Sequence, residues 1–226
     1  MKADLRVDWA THEAAKYACE HWHYTKSMPM PPYVFVGCWE DKVFVGVAVF
    51  SRGANKDLGA PYSLGMTECC ELVRVAMRKH KQPVSQFLAL AVRFLKKNSP
   101  NLRMVVSFAD PEQGHHGGIY QACGWVYSGQ TSKSFDYRMP DGSRLNKRAF
   151  TGNQFGQSSS RSAVPIGAIK TQTLGKHRYL MPLDDAMRST ILPLSKPYPK
   201  RVRSSETSGD HPEERQGSTD PDAPNA

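Results

Sequence analysis

Apolar and polar positions alternate with two different periods along this chain. Residues 34–39 and 43–50 are β-rich and apolar on both faces, and Glu40-Asp41-Lys42 separates them. The pattern predicts a hairpin inside a covered sheet. Residues 71–77 predict a third strand. Strict alternation there puts Glu71, Val73 and Val75 on one face and Leu72, Arg74 and Ala76 on the other. The period then changes. Phe87, Leu88, Ala91, Val92, Phe94 and Leu95 recur at helical spacing, predicting an amphipathic helix over 84–97 that Ser99-Pro100 stops. Residues 103–109 predict a fourth strand. Upstream, Thr11 can cap a helix carrying Ala14, Ala15, Ala18, Cys19 and Trp22, and the prolines at 29, 31 and 32 forbid its continuation.

The stretch FADPEQGHHGGIYQACGWVYSG, residues 108–129, predicts a strand end, polar loop, short helix and strand. Asp110-Pro111-Glu112-Gln113 has the form of a capping box. A helix starting there would enclose Gly117-Gly118, at about 1 kcal/mol each relative to alanine. Either the helix begins nearer Gly118, or something approaches the backbone closely. Asp110 is a cap or a catalytic carboxylate, and the local pattern leaves both open. Ligands of α/β sheets gather at strand C-termini, which makes Asp110, His115, His116 and Tyr120 candidates. Two further strand segments are expected within 125–137, a polar loop over 140–163, and renewed order over 168–183. The domain is therefore expected to span 1–183, with 184–226 a disordered Pro/Ser/charged tail.

Charge adds a partner class. The net charge is +9. Residues 204–226 hold six acids and one base, a charge of −5, so the first 203 residues carry +14. Such a field suits a polyanion such as nucleic acid, against the plainer reading of a basic surface. No apolar run approaches the roughly 20 residues of a spanning helix, which argues against a membrane protein. The N-terminal residues lack a secretion stretch. Five cysteines without a CxxC pair fit a reduced, intracellular chain.

Several residues bear on phosphates and bases. Arg74, in an apolar run, needs a carboxylate, carbonyl or phosphate partner. Arg78-Lys79-His80-Lys81-Gln82-Pro83 precedes a helix N-terminus and is either an anion site or a solvated basic loop. His23, Tyr24, Lys26 and Ser27 are polar contacts on a loop over a cleft. Lys176, His177, Arg178 and Tyr179 can meet phosphates and stack on a base, or form a plain edge strand. Lys200-Arg201-Val202-Arg203 is a flexible phosphate contact.

The order of these elements resembles the GCN5-related N-acetyltransferase fold. The expected class is α+β, a mixed sheet flanked by helices. The resemblance implies that residues 71–77 and 84–97 hold the pyrophosphate of an acyl-coenzyme A, most simply acetyl-CoA, or a related donor. The fold's usual turn is Gln/Arg-x-x-Gly-x-Gly/Ala; here it has no glycine, and basic residues would replace the glycine amides. Lys79, Lys81, Val84 and Ser85 would lie against the donor. In detail, His23-Tyr24-Thr25-Lys26-Ser27-Met28-Pro29, Glu71-Leu72-Val73-Arg74, Phe108-Ala109-Asp110, Gly118-Ile119-Tyr120-Gln121-Ala122-Cys123-Gly124-Trp125 and Lys176-His177-Arg178-Tyr179 resemble the Mom proteins of bacteriophages.

That resemblance implies an enzyme adding a methylcarbamoyl-type group to the exocyclic N6 of adenine in double-stranded DNA. The modification shields phage DNA from restriction in the cytoplasm of the bacterial host. It makes Arg74, Asp110, Tyr120 and His23 the catalytic candidates. Asp110 would accept a proton, Tyr120 would act as general acid towards a thiolate, and Arg74 would hold negative charge. Lys176, His177, Arg178, Tyr179, His116, Tyr24, Lys26 and Ser27 would meet DNA. An iron ion is compatible with the resemblance, with His21, His23, His115 and His116 as candidate ligands. The rivals are an ordinary N-acetyltransferase and a non-enzymatic DNA-binding protein on the same fold.

Overall fold

A computed structural model describes residues 4–53, 57–145 and 164–200. Its main sheet has seven strands in the order β1-β2-β3-β4-β5-β10-β6. These are β1 (Leu5–Trp9), β2 (Tyr33–Glu40), β3 (Val43–Ser51), β4 (Cys69–Met77), β5 (Met104–Ala109), β6 (Val126–Gln130) and β10 (His177–Pro182). Only β4 and β5 pair in parallel; the other pairs of this sheet are antiparallel. A three-stranded sheet joins β8 (Arg144–Leu145), β7 (Ser134–Arg138) and β9 (Ile169–Thr173). This is the expected α+β class, a mixed sheet flanked by helices.

Helix α1 (His12–Trp22) is capped by the Thr11 hydroxyl, which accepts from the Ala14 amide. Ala14, Ala15, Ala18 and Cys19 bury themselves against Phe44, Val47 and Val49. Helix α2 (Val84–Asn98) covers a second cluster, where Phe87, Leu88, Ala91 and Val92 meet Val36, Ala48 and Phe50. Both faces of the hairpin strands are thus covered, which is why they are apolar on both sides.

Three expectations change. First, β1 extends the sheet beyond β2, with Leu5 opposite Glu40. It is an edge strand without a fully buried residue, so its hydrophobic pattern is weak. Second, strict alternation fails in β4. Val49 faces Arg74 and Phe50 faces Leu72, leaving Val73 as an extra residue. This β-bulge reverses the faces beyond it. Leu72, Val75 and Met77 pack with the α2 cluster, Val73 and Ala76 with the α1 cluster. Arg74 comes round to α1, where its charge is felt by Cys19 and His23.

Third, order continues past the boundary expected at residue 183. The Asp184 carboxylate caps α4 (Asp185–Ile191) through the Met187 amide at 2.7 Å and pairs with Arg103 at 2.9 Å. Met187 and Ile191, four residues apart on one helical face, are buried with Met104, Val106, Val126 and Leu180. Tyr198 then donates to the Trp125 carbonyl at 2.7 Å. Residues 201–226 and 146–163 lie outside the described residues, so the acidic tail, most of the 200–203 basic cluster and most of the 140–163 loop do too. No helix among the described residues is long and apolar enough to cross a membrane.

Candidate active site

Strands β4 and β5 pair from Cys69–Met104 to Leu72–Ser107 and then part, although β4 continues to Met77. A cavity of about 690 Å³ lies in the gap. His23, Val73, Val75, Met77, Phe108 and Tyr120 are among its walls. A second cavity of about 460 Å³ includes Glu71, Asp136, Thr173, Lys176 and Arg178. Tyr24, Leu72, Val73, Arg74 and Phe108 line both cavities. The first mixes apolar walls with aromatic, histidine and arginine groups; the second carries charge of both signs. They meet at Arg74 and Tyr24.

The bulge fixes Arg74 at this junction. Its Nη1 donates to the Val73 carbonyl at 2.8 Å, the carbonyl partner that the sequence allowed. Its Nε is buried without a hydrogen-bond partner among the described residues. An unsatisfied buried donor costs about 1–3 kcal/mol, which an incoming acceptor would recover.

Tyr120 projects from the short helix α3 (Gly118–Ala122). Its hydroxyl is 2.8 Å from Ser107 Oγ, which is also 2.8 Å from the Leu72 carbonyl. Ser107 has one proton for two partners. A carbonyl only accepts, so the serine donates to Leu72 and the phenol donates to the serine. Burial pushes the phenol pKa up to about 12. A thiol ordinarily titrates near 8.5. Tyr120 is therefore suited to holding its proton as a donor rather than surrendering it to a thiolate. Sequence reasoning missed Ser107; its signal was a lone polar residue in MVVSFA.

His23 is buried, and its Nδ1 accepts the Thr25 amide at 3.2 Å, beside Thr25 Oγ1 at 2.8 Å. An accepting Nδ1 leaves the ring proton on Nε2. Burial lowers the pKa to about 4, helped by the charges of Arg74, His115 and Lys26. The imidazole is neutral at pH 7 and offers an N–H.

Asp110 lies outside the walls of both cavities. Its carboxylate caps the 3₁₀ turn Pro111–Gln113 through the Glu112 amide at 3.1 Å, and lies 3.4 Å from Lys176 Nζ. The cap is real, but it belongs to this turn. Helix α3 starts at Gly118, after Gly117 at φ 81°. A Cβ on Gly117 would lie 2.3 Å from the Tyr179 ring, the close approach expected of that glycine.

The same contact corrects the reading of Tyr179 as a stacking platform. Tyr179 is 0% exposed; its hydroxyl donates to the His116 carbonyl at 2.5 Å and accepts from Gln121 at 3.0 Å. It has no open face for a base. His177 is buried too, with Nδ1 3.0 Å from the Tyr127 hydroxyl. Arg178, next along β10, and Lys176, just before the strand, line the smaller cavity instead. His116 lines the larger cavity. Tyr24 is half-exposed and meets His115 edge-on, with ring centroids 5.2 Å apart. Lys26 donates to the His21 carbonyl at 2.6 Å. Ser27 lines neither cavity.

The basic turn before α2 is also corrected. Its Lys81 and Gln82 amides donate to the two oxygens of Glu40, at 2.8 and 2.7 Å. Lys81 Nζ reaches Asp41 at 3.1 Å, and Arg78 lies over the Trp22 ring. Lys79 is exposed. Val84 lines the larger cavity, while the Ser85 carbonyl accepts from Cys123 Sγ at 3.2 Å. The turn does not offer the Lys81 and Gln82 amides to a diphosphate. Among the described residues, no three His, Cys, Asp or Glu side chains converge as metal ligands.

The chain matches the model of the Mom protein family over residues 4–200. No curated protein is a significant match. Among solved structures it is similar to FeeM, an N-acyl amino acid synthase from uncultured soil microbes, at 12% identity over 85% of this chain and 96% of that one, with a TM-score of 0.47. It is also similar to a Bacillus subtilis acetyltransferase in complex with CoA, at 13% identity over 81% of this chain and 100% of that one, with a TM-score of 0.41.

Proposed function

The chain belongs to the Mom protein family, and from that premise we propose that it transfers an acyl-derived, methylcarbamoyl-type group to the exocyclic N6 of adenine in double-stranded DNA. The observation that carries the reading is the meeting of two unlike cavities at Arg74. Group transfer between two large substrates needs two compartments that open on one point. The more apolar cleft beside Tyr120 suits the donor's arm. The charged cavity suits an adenine extruded from the duplex, which chemistry on a base requires.

Each side chain then has a task. Glu71 and Asp136 offer carboxylate acceptors to an exocyclic amine, and Lys176 and Arg178 offer cations to flanking phosphates. Arg74 holds the developing oxyanion, with its unpaired Nε supplying a hydrogen bond. Tyr120 and His23 are further donors at the donor side. Asp110 acts through Lys176 as a positioning residue. An acyl-CoA or related thioester supplies the acyl carbon: the adenine N6 forms the new C–N bond, the C–S bond breaks, and the thiol leaves with the amine's proton. The amide nitrogen of a methylcarbamoyl-type product comes from a second, nitrogen-donating co-substrate such as an amino acid or ammonia. Iron is assigned no ligands among the described residues. The modified DNA would resist restriction in the cytoplasm of a phage-infected bacterium.

The test is digestion of plasmid DNA from expressing cells with several restriction enzymes whose sites contain adenine. The wild-type chain should protect the plasmid, and Arg74→Ala should abolish protection while remaining soluble. Full digestion in the presence of soluble wild-type protein favours a DNA-binding protein without activity, or an acetyltransferase acting on another amine.

A further inference from the structure

We propose that Glu40 is a built-in anion that closes the turn before α2 to a donor's diphosphate, so that the donor is recognised by its thioester-bearing arm. The inference rests on the reading above that the larger cleft takes an acyl thioester.

Glu40 ends β2, and the hairpin reverses at Asp41 and Lys42, whose φ values are 50° and 70°. That reversal carries the acidic pair across to the α2 turn. Glu40 is 6% exposed, and each of its oxygens accepts one backbone N–H, from Gln82 at 2.7 Å and Lys81 at 2.8 Å. Two amides on two oxygens of one anion is the arrangement by which a turn before a helix holds phosphate. Here the anion is part of the chain.

The brace has a second attachment. Asp41 accepts the Asp4 amide at 2.9 Å through one oxygen and Lys81 Nζ at 3.1 Å through the other. Arg78 is drawn over Trp22, with its carbonyl engaged by His80 at 2.7 Å. Two amides and one lysine charge of the turn are thus satisfied from within. A diphosphate arriving here would meet a carboxylate at contact distance. Displacing that carboxylate would leave it buried without its partners, which is strongly unfavourable.

The cleft offers more apolar wall, alongside His23, Arg74, His115 and His116. Beyond Leu72, β4 has lost its β5 neighbour, and Val73, Val75, Met77, Val84, Phe108 and Ile119 line the gap. An amide-bearing chain can lie along such a strand edge through main-chain hydrogen bonds. Recognition therefore concentrates on the arm.

Isothermal titration of the full chain with coenzyme A and with pantetheine, at physiological salt, tests this directly. In the wild type the two should bind within about threefold of each other, because the diphosphate contributes little. Glu40→Gln keeps an acceptor oxygen and removes the charge; it should raise coenzyme A affinity at least tenfold and leave pantetheine unchanged. The wild-type ratio decides the matter even if that variant does not fold. Coenzyme A binding thirtyfold or more tighter than pantetheine in the wild type would overturn the proposal, and so would an unchanged ratio in a folded Glu40→Gln chain. Binding of neither compound would overturn it as well. Adenine modification in cells is read separately, so either claim can fail alone.

Discussion

Replacing Ser107 by alanine should destabilise the protein more than removing the Tyr120 hydroxyl, although the serine is the smaller group. Ser107 is fully buried and joins the Leu72 carbonyl to the Tyr120 phenol, at 2.8 Å on each side. Its removal strands a donor and deprives an acceptor together. At about 1–3 kcal/mol for each of the two buried groups left unsatisfied, the loss comes to about 2–6 kcal/mol. Tyr120→Phe removes the donor itself and leaves Ser107 on Leu72, costing about 1 kcal/mol. The double variant has no stranded phenol, so the two effects should be non-additive by about 1 kcal/mol or more. Urea denaturation of the four proteins measures this. Additivity within about 0.5 kcal/mol would refute the relay. The phenylalanine variant should also lose about a hundredfold in DNA modification, the scale of one lost transition-state donor. Because the phenol titrates only near 12, wild-type activity should show no Tyr120-dependent fall up to pH 10.

Three further outcomes follow. The folded pKa of His23, about 4, lies below its ordinary 6.5, so the unfolded chain binds the extra proton; stability should be full above pH 7 and fall by about 2–3 kcal/mol between pH 6.5 and 4, and denaturation of His23→Gln over that range should show a flatter profile. Gly117→Ala must sustain a positive φ and a Cβ pressed on Tyr179, costing about 2–4 kcal/mol by chemical denaturation; a change under about 0.5 kcal/mol would mean that the ring moves freely. Ile191→Ala should cost about 2–5 kcal/mol, and ending the chain at residue 183 should lower the Tm relative to a chain ending at residue 200, which keeps α4 and Tyr198.

The hairpin strands and α2 were legible because their apolar spacing is regular and both faces of the hairpin are covered, whereas the edge strand β1 was not. The cap at Asp110 and the helix start at Gly118 were each one of two readings that capping chemistry and the cost of glycine left open in the sequence. The bulge at Val73 was not legible, because an extra strand residue leaves no mark in composition. It nevertheless decides which way Arg74 points. Glu40 read as hairpin punctuation; only the approach of β2 to the α2 turn in space shows what its carboxylate does. Tyr179 looked like a nucleic-acid residue because it follows Lys, His and Arg. Period-two alternation places it with His177 on the covered side. Helix α4 rests on an Asp cap and two apolar residues four apart, a weak signal at the start of a polar segment.

Nucleoside mass spectrometry of DNA from cells expressing the chain tests the central claim most directly. The account predicts a heavier deoxyadenosine, carrying the added group on the exocyclic nitrogen, that disappears in Arg74→Ala cells with equal soluble protein. Ordinary deoxyadenosine alone, from cells holding soluble and folded wild-type chain, would contradict it.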